Sequence, residues 1–397
     1  MLRFCALAAV LAATPALAKD ILVEAGPNAQ ERLQSALLDA KPGDTVRIGA
    51  GRFELTDGLS LDVAGVTVRG AGTDKTVLSF KGQLGAGEGL LVTSDDVVLR
   101  DFAVEDSKGD GIKSKGADRI VYKNVRVEWT GGPKASNGAY GVYPVESSDV
   151  LIDGVTVSGA SDAGIYVGQS NRIIVRNSTA MYNVAGIEIE NSGYAEVTNN
   201  LATHNTGGIL VFDLPALPKR GAGYVLVKDN KLIDNDTPNF APPGNTVATV
   251  PTGTGVLVMA ENDVQVVANT LSGNGTANIM VVAYRQPFED KSYDPYPRDI
   301  YIGHNKHGRA GFAPAMPGGA ALAQALGGTL PPIFWDGTGG DKVNLTGVAD
   351  APVLTLNLAL GAGIETAKPQ IIALQEKALQ KVAARILLPA AMEAAAK

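Results

Sequence analysis

Between about residue 45 and residue 310 the chain alternates apolar and polar residues in short runs, and each run stops at Gly, Asn or Asp. A period of two marks strands, and the stops mark turns. One phrase recurs: a glycine, an apolar residue, any residue, then usually another apolar residue. It stands at Gly111, Gly141, Gly164, Gly186, Gly208 and Gly255, with a degenerate copy at Asn278. Gly164, Gly186 and Gly208 are spaced by 22 residues. A second phrase lies between the copies, as in VLIDGVTV (150–157) and VLVKDNKL (225–232). A unit this short cannot bury its own apolar face and must stack on its neighbours. The pattern predicts an all-β fold, a single-stranded right-handed parallel β-helix (a solenoid) of about ten coils.

Stacking turns sequence into columns. Ile165, Ile187 and Ile209 form one inward column, and Val167, Ile189 and Val211 another. Side chains alternate along a strand, so the residues between them face out. The first outward column reads Lys113, Tyr143, Tyr166, Glu188, Leu210, Leu257. The second reads Lys115, Val145, Gly168, Glu190, Phe212, Met259. This ribbon is ionisable at one end and apolar at the other. Asn200, Asn230, Asn269 and Asn305 align in a turn column, continuing Phe102, Val125, Val155 and Ser178; Asn183, Asn205, Asn235 and Asn274 align in a second. Asparagine tolerates left-handed turns, and its amide both donates and accepts, so these read as structural ladders.

Open coils expose sheet edges and need covers. Leu33, Ala36, Leu37 and Ala40, followed by Pro42-Gly43, predict an amphipathic N-terminal cap helix. Past about residue 310 the rhythm fades into a segment rich in Gly, Pro and Ala. From Lys368 the apolar spacing predicts a C-terminal helix that lies on the flank or closes the far end; docking of a partner is the alternative. The expected organisation is a signal peptide at 1–18, the β-helix with its cap at 19–310, and the irregular segment and helix at 311–397.

Composition then narrows the setting. Arg3, a short apolar run and Ala16-Leu17-Ala18 read as a secretory signal cleaved after Ala18. The run falls short of the roughly 20 residues a membrane span needs, so no span is expected after cleavage and the location is periplasmic or secreted. The single cysteine, Cys5, lies in that signal, which leaves packing and backbone hydrogen bonds to hold the fold. The net charge is −7, and loss of Arg3 makes it more negative. That argues against nucleic acid as a partner.

The Gly-Ile-x-Val and Val-x-x-Asn phrases resemble exported bacterial right-handed parallel β-helix repeat proteins of the pectate lyase-like superfamily. That superfamily includes pectate lyases, alginate C5-epimerases and a periplasmic protein that helps mature the copper site of nitrous oxide reductase. More narrowly, GAYGVYPVESSDVLIDGVTVSGASDAGIYVGQSNRIIVRN, VAGIEIENS, NTGGILVFDLPALP, TPNFAPPGN and VPTGTGVLVMA resemble a group of exported proteobacterial β-helix proteins with no assigned activity. Members of that group tend to be encoded beside another exported protein, which implies a co-exported partner. Alginate epimerases carry an Asp-Pro-His-Asp motif. Here YDPYPRD (293–299) has Tyr296 in place of the histidine and Pro297 after it, so those roles are not carried over.

The long departures from the repeat gather around one strand column. Segments 131–140 and 236–254 arrive just before a Gly-Ile/Val strand, and 213–223 leaves just after one. Such loops build binding faces, and a walled groove suits an extended polysaccharide. Chemistry on a uronic acid needs a base, a proton donor and a cation for the carboxylate; Tyr143, Tyr166, Lys113 and Lys115 offer these. Glu188 and Glu190 offer the acid and base of a hydrolase. The candidate catalytic residues are therefore Tyr166, Glu188, Tyr143 and Lys113. The candidate substrate-binding residues are Lys115, Glu190, Asp213, Arg220 and Phe212. An enzyme would be a polysaccharide lyase, an epimerase or a glycoside hydrolase, and a binding protein is equally compatible with the pattern. The alternative is a non-catalytic envelope protein that docks a co-exported partner through Leu210, Phe212, Leu257 and Met259 or through the C-terminal helix. His204, His304 and His307 do not converge as zinc ligands would. Calcium is the cofactor candidate, through DSKGD (106–110) and DNDTPN (234–239), which otherwise read as polar turns.

Overall fold

The computed structural model describes residues 18–85, 87–220, 223–378 and 386–397. The expected signal segment, apart from Ala18, lies outside the described residues. The alternation seen in the sequence resolves into three sheets of 13, 12 and 10 strands that wind as a right-handed β-helix. Every pairing within the coils is parallel, with like positions in register: Ile165 pairs Ile187, and Ile187 pairs Ile209. The inward columns are fully buried and merge into one continuous core.

The repeated glycines have a steric cause. A Cβ on Gly186 would meet the carbonyl oxygen of Gly208 at 2.5 Å, and one on Gly208 would meet that of Gly255 at 2.6 Å. The coils pass too closely there for any side chain. The asparagine columns are hydrogen-bonded ladders. Asn200 Oδ1 accepts from the Ser178 amide, Asn230 Oδ1 from the Asn200 amide and Asn269 Oδ1 from the Asn230 amide, each within 3.0 Å. The Asn183, Asn205, Asn235 and Asn274 column bonds likewise. The left-handed conformation falls on the residue before each ladder asparagine, at Asn199, Asp229, Ala268 and His304. The amide ladder, rather than backbone tolerance, is what demands asparagine.

Helix α1 (Ala29–Asp39) covers the first coil, burying Leu33, Ala36 and Leu37. Its Gln34 donates to the Ser60 carbonyl and accepts from the Ser60 amide, both at 2.9 Å. One side chain thus occupies the open edge of the terminal strand Leu59–Leu61.

The coil stack continues beyond residue 310. Ile333–Trp335 and Val353–Thr355 extend the 12-stranded sheet in parallel, and α2 (Gly319–Ala325) sits in the excursion before them. The helix expected from Lys368 takes another form. Gln370–Ile372 pairs antiparallel with Val353–Thr355, and Gln375–Glu376 joins the 13-stranded sheet; part of the expected helix, 379–385, lies outside the described residues. An unfilled sheet edge outcompetes the helical spacing of these residues. Among the described residues after Lys368, helix is found at α3 (Ala390–Ala395). It lies on the flank of the 13-stranded sheet, packing Leu388, Met392 and Ala396 on Val121, Leu151 and Ile174. The Arg176–Glu393 ion pair at 2.8 Å and an Arg100 hydrogen bond to the Ala395 carbonyl fix it. No helix among the described residues is long and apolar enough to cross a membrane.

Candidate functional site

The 12-stranded sheet carries the outward columns in the expected register. Lys113 pairs Tyr143, Tyr166 pairs Glu188, Glu188 pairs Leu210, and Leu210 pairs Leu257. Lys115, Val145, Gly168, Glu190, Phe212 and Met259 align beside them. The ribbon is not an open face, however. Tyr166 is 4 % exposed, Glu188 1 % and Leu210 0 %. The 236–254 excursion folds over it, setting Val247 and Val250 against Tyr166, Leu210 and Leu257.

Two residues outside the expected set complete this region. Tyr140 stands in a column otherwise filled by Ala163, Ala185, Gly207, Thr254 and Ala277. The next coil supplies Asp162, one residue ahead of its strand Ala163–Gly168. Tyr140, Tyr143 and Tyr166 cluster with ring centroids 4.4 to 4.9 Å apart. The Tyr166 hydroxyl donates to Glu190 Oε1 at 2.6 Å, and Asn245 Nδ2 donates to Asp162 Oδ2 at 2.8 Å. Tyr140, Asp162, Glu188 and Glu190 line a pocket of about 260 Å³, closed on one side by Gly244, Asn245, Thr246 and Val247.

The electrostatics of this pocket are one-sided. Burial, then the Glu190 charge, pushes Asp162 up to about 7. Burial and the charges of Asp162 and Glu190 hold Glu188 well above the ordinary glutamate range. Burial also raises Glu190, opposed by hydrogen bonds from Tyr166 and Glu188. Glu188 Oε2 is buried with no hydrogen-bond partner; protonation of the carboxyl removes the charge that this unpartnered oxygen would otherwise share. Glu188 is thus held protonated, and Glu190, which receives hydrogen bonds from Tyr166 and Glu188, is the group best able to ionise. Tyr143 is pushed up to about 12 by burial and by the carboxylates around it. Lys113 faces this region but is spent: its Nζ pairs Glu88 at 3.1 Å and Asp110 at 3.6 Å, and lies 4.9 Å from the Tyr143 ring. Burial pushes Asp110 up to about 6.

The remaining expected residues fall elsewhere. Lys115 is exposed, with Glu146 at 3.9 Å. Phe212 is fully buried and offers a substrate no surface. Arg220 forms an ion pair with Asp290, and the Asp213 carbonyl accepts from the Tyr293 hydroxyl. Both tie the 213–220 segment to the 284–296 segment rather than line the pocket. The docking surface expected at Leu210, Phe212, Leu257 and Met259 is not an open face: Leu210 and Phe212 are fully buried, Leu257 and Met259 lie at the floor of a recess, and α3 packs on the flank. Among the described residues no group of three or more His, Cys, Asp or Glu side chains is placed to hold a metal ion. Asp106 bonds the amide and hydroxyl of Thr130, and Asp236 bonds His204, so both acidic turns proposed for calcium have internal partners.

Coils, columns and a walled face define the class. The family model described as "Right handed beta helix region" matches residues 64–216 and 134–290, more than half of the chain. The chain belongs to the right-handed β-helix family. A search of curated proteins finds no match. Among solved structures it is similar to the A-module of the Azotobacter vinelandii mannuronan C-5 epimerase AlgE4. That likeness has 14 % identity and a TM-score of 0.54, covering 86 % of this chain and 95 % of that one. It is also similar to a polygalacturonase from Erwinia carotovora ssp. carotovora, with 12 % identity, a TM-score of 0.52 and coverage of 76 % and 95 %. A third is a hyperthermoactive exopolygalacturonase from Thermotoga maritima, with 10 % identity, a TM-score of 0.51 and coverage of 89 % and 94 %. At these identities the likeness is one of fold.

Proposed function

We propose that this protein is an exported polysaccharide-acting enzyme that hydrolyses a glycosidic bond in the Asp162–Glu188–Glu190 pocket. The observation that carries the reading is the buried carboxyl cluster itself. Burying carboxyl groups with no cation among them costs several kcal/mol, and groups perturbed in this way concentrate at functional sites. The named polysaccharide enzymes among the similar folds support a polysaccharide as substrate, and nothing finer.

Asp162, titrating near 7, gives its proton to the leaving glycosidic oxygen. Water attacks the anomeric carbon and loses its proton to the Glu190 carboxylate. Glu188 keeps its proton and, with Tyr166, orients Glu190; it is a positioning residue. A uronate chain would bring its own carboxylates to a pocket whose nearby Lys113 is already paired with Glu88 and Asp110. The substrate in this reading is therefore a neutral glycan rather than a uronate. Lys115, exposed beside the ribbon, remains available to contact the glycan farther along it.

Incubation with neutral and uronate polysaccharides tests this. New reducing ends from a neutral glycan, lost in Asp162→Asn and in Glu190→Gln, are expected. Unsaturated products from uronates, surviving in both variants, would defeat it. The same reading places the protein outside the inner membrane. An N-terminus beginning at Lys19 in protein recovered from the periplasm or medium is the expected result, and an intact leader there would count against it.

A further inference from the structure

The Gly244–Thr246 crest that closes the acid pocket has a second side. There it borders a larger pocket of about 590 Å³, within the range of ligand sites. The floor continues the outward columns through Leu257, Met259, Met280 and Phe334, and Leu358 and Met316 form walls. Leu257 is two strand spacings from Glu188, about 10 Å, and the crest residues Gly244, Asn245 and Thr246 line both pockets. The two cavities are neighbours on one ribbon.

The lining selects a ligand chemistry. Three of the chain's six methionines, Met259, Met280 and Met316, face this space. Methionine is unbranched and polarisable, and it accommodates flexible aliphatic groups. The charged residues at the margin already have partners. Asp336 accepts from the amides of Ala283 and Thr338, and Arg285 donates to Thr338 Oγ1 and to the Ala362 carbonyl. The Arg285 partners are neutral oxygens at the margin, whereas the floor of Leu257, Met259, Met280 and Phe334 carries no charge, and an alkyl chain would exchange water for apolar surface there.

We infer that this pocket binds an aliphatic chain carried by a saccharide, so that the ligand is an acylated or alkylated glycan spanning the crest. The sugar end rests on the reading of the acid pocket; the chain end rests on the methionine-lined pocket alone.

The test uses n-alkyl maltosides from hexyl to decyl, kept below their micelle concentrations, with maltose as the control, titrated calorimetrically into the purified protein. The expected result is a Kd that falls about three- to fourfold per added methylene, in the wild type and in Glu190→Gln alike, with the length dependence lost in Met280→Glu. Methionine-methyl NMR of the wild type gives a second readout that needs no variant: the Met259, Met280 and Met316 signals shift on titration. Binding that ignores chain length, or length-dependent binding that leaves those signals and the Met280→Glu variant unaffected, overturns the inference. Length-dependent binding without hydrolysis of any glycan sinks the hydrolase reading and leaves this one standing; hydrolysis without length dependence does the reverse.

Discussion

On one side of the Gly244–Thr246 crest the outward columns hold Tyr143, Tyr166, Glu188 and Glu190; on the other they hold Leu257, Met259, Met280 and Phe334. The backbone beneath is the same parallel sheet in the same register. The scaffold fixes where side chains line up, and one residue per coil then sets the chemistry of each stretch. The third determinant is the excursion at 236–254. By covering part of the ribbon it turns exposed positions into buried ones, and burial converts three ordinary carboxyl groups, Asp162, Glu188 and Glu190, into groups that hold protons at higher pH. The apolar stretch, covered by the same excursion, gains no charge problem and becomes a methionine-lined cavity.

The comparison breaks most visibly at the acid side. Asp162→Asn and Glu190→Gln should each lower glycan hydrolysis by about 10²–10⁴-fold while leaving the chain-length dependence of alkyl maltoside binding unchanged. Equal loss of both would show that the pockets are not separate. Next in size is the ladder shared by both sides. Asn205 Oδ1 receives the Asn183 amide and side chain, and its own amide donates to Ala180, Thr203 and Asn235. Asn205→Ala should cost about 2–3 kcal/mol in denaturant unfolding, and a loss below 0.5 kcal/mol would remove the ladder from the account of stability.

Glu188→Gln separates positioning from chemistry. The folded protein keeps protons on Asp162 and Glu188 that the unfolded chain releases near pH 4. Stability is therefore full below that pH and declines as pH rises toward the folded values, with a slope of about 1.4 kcal/mol per pH unit for each proton held. Melting curves should show greater stability near pH 5 than near pH 8, and Glu188→Gln should flatten the decline. A steeper decline would contradict the assignment. The smallest effect concerns the distant corner: Arg220→Ala, which breaks a solvent-screened pair with Asp290, should leave the denaturant midpoint nearly unchanged with hydrolysis unaltered.

Much of this was legible in the sequence because a solenoid writes contacts at a fixed spacing. The glycine phrase aligned Tyr166 over Glu188 and Glu190 over Phe212 without any knowledge of loops. Burial was not legible, because nothing in a repeat says which coil an insertion will cover. Phe212 and Leu210, read as surface residues, therefore lie inside. Tyr140 and Asp162 were missed because they sit at the entry to their strands, where attention falls on Gly141 and Gly164. A signal was present all the same: a tyrosine in a column of Ala, Ala, Gly, Thr and Ala. At the C-terminus the apolar spacing of residues 370–376 fits a helix, and only the unpaired strand edge beside it, invisible in the local pattern, draws it into sheet.

The most direct test is a carboxyl ¹³C titration by NMR, with Asp162→Asn and Glu188→Gln assigning the signals. A midpoint near pH 7 for Asp162, with Glu188 still protonated well above the ordinary glutamate range, is the result expected of a covered acid cluster. Midpoints near 4 for both would mean that the carboxyls are solvated and separate, and the acid pocket would be contradicted.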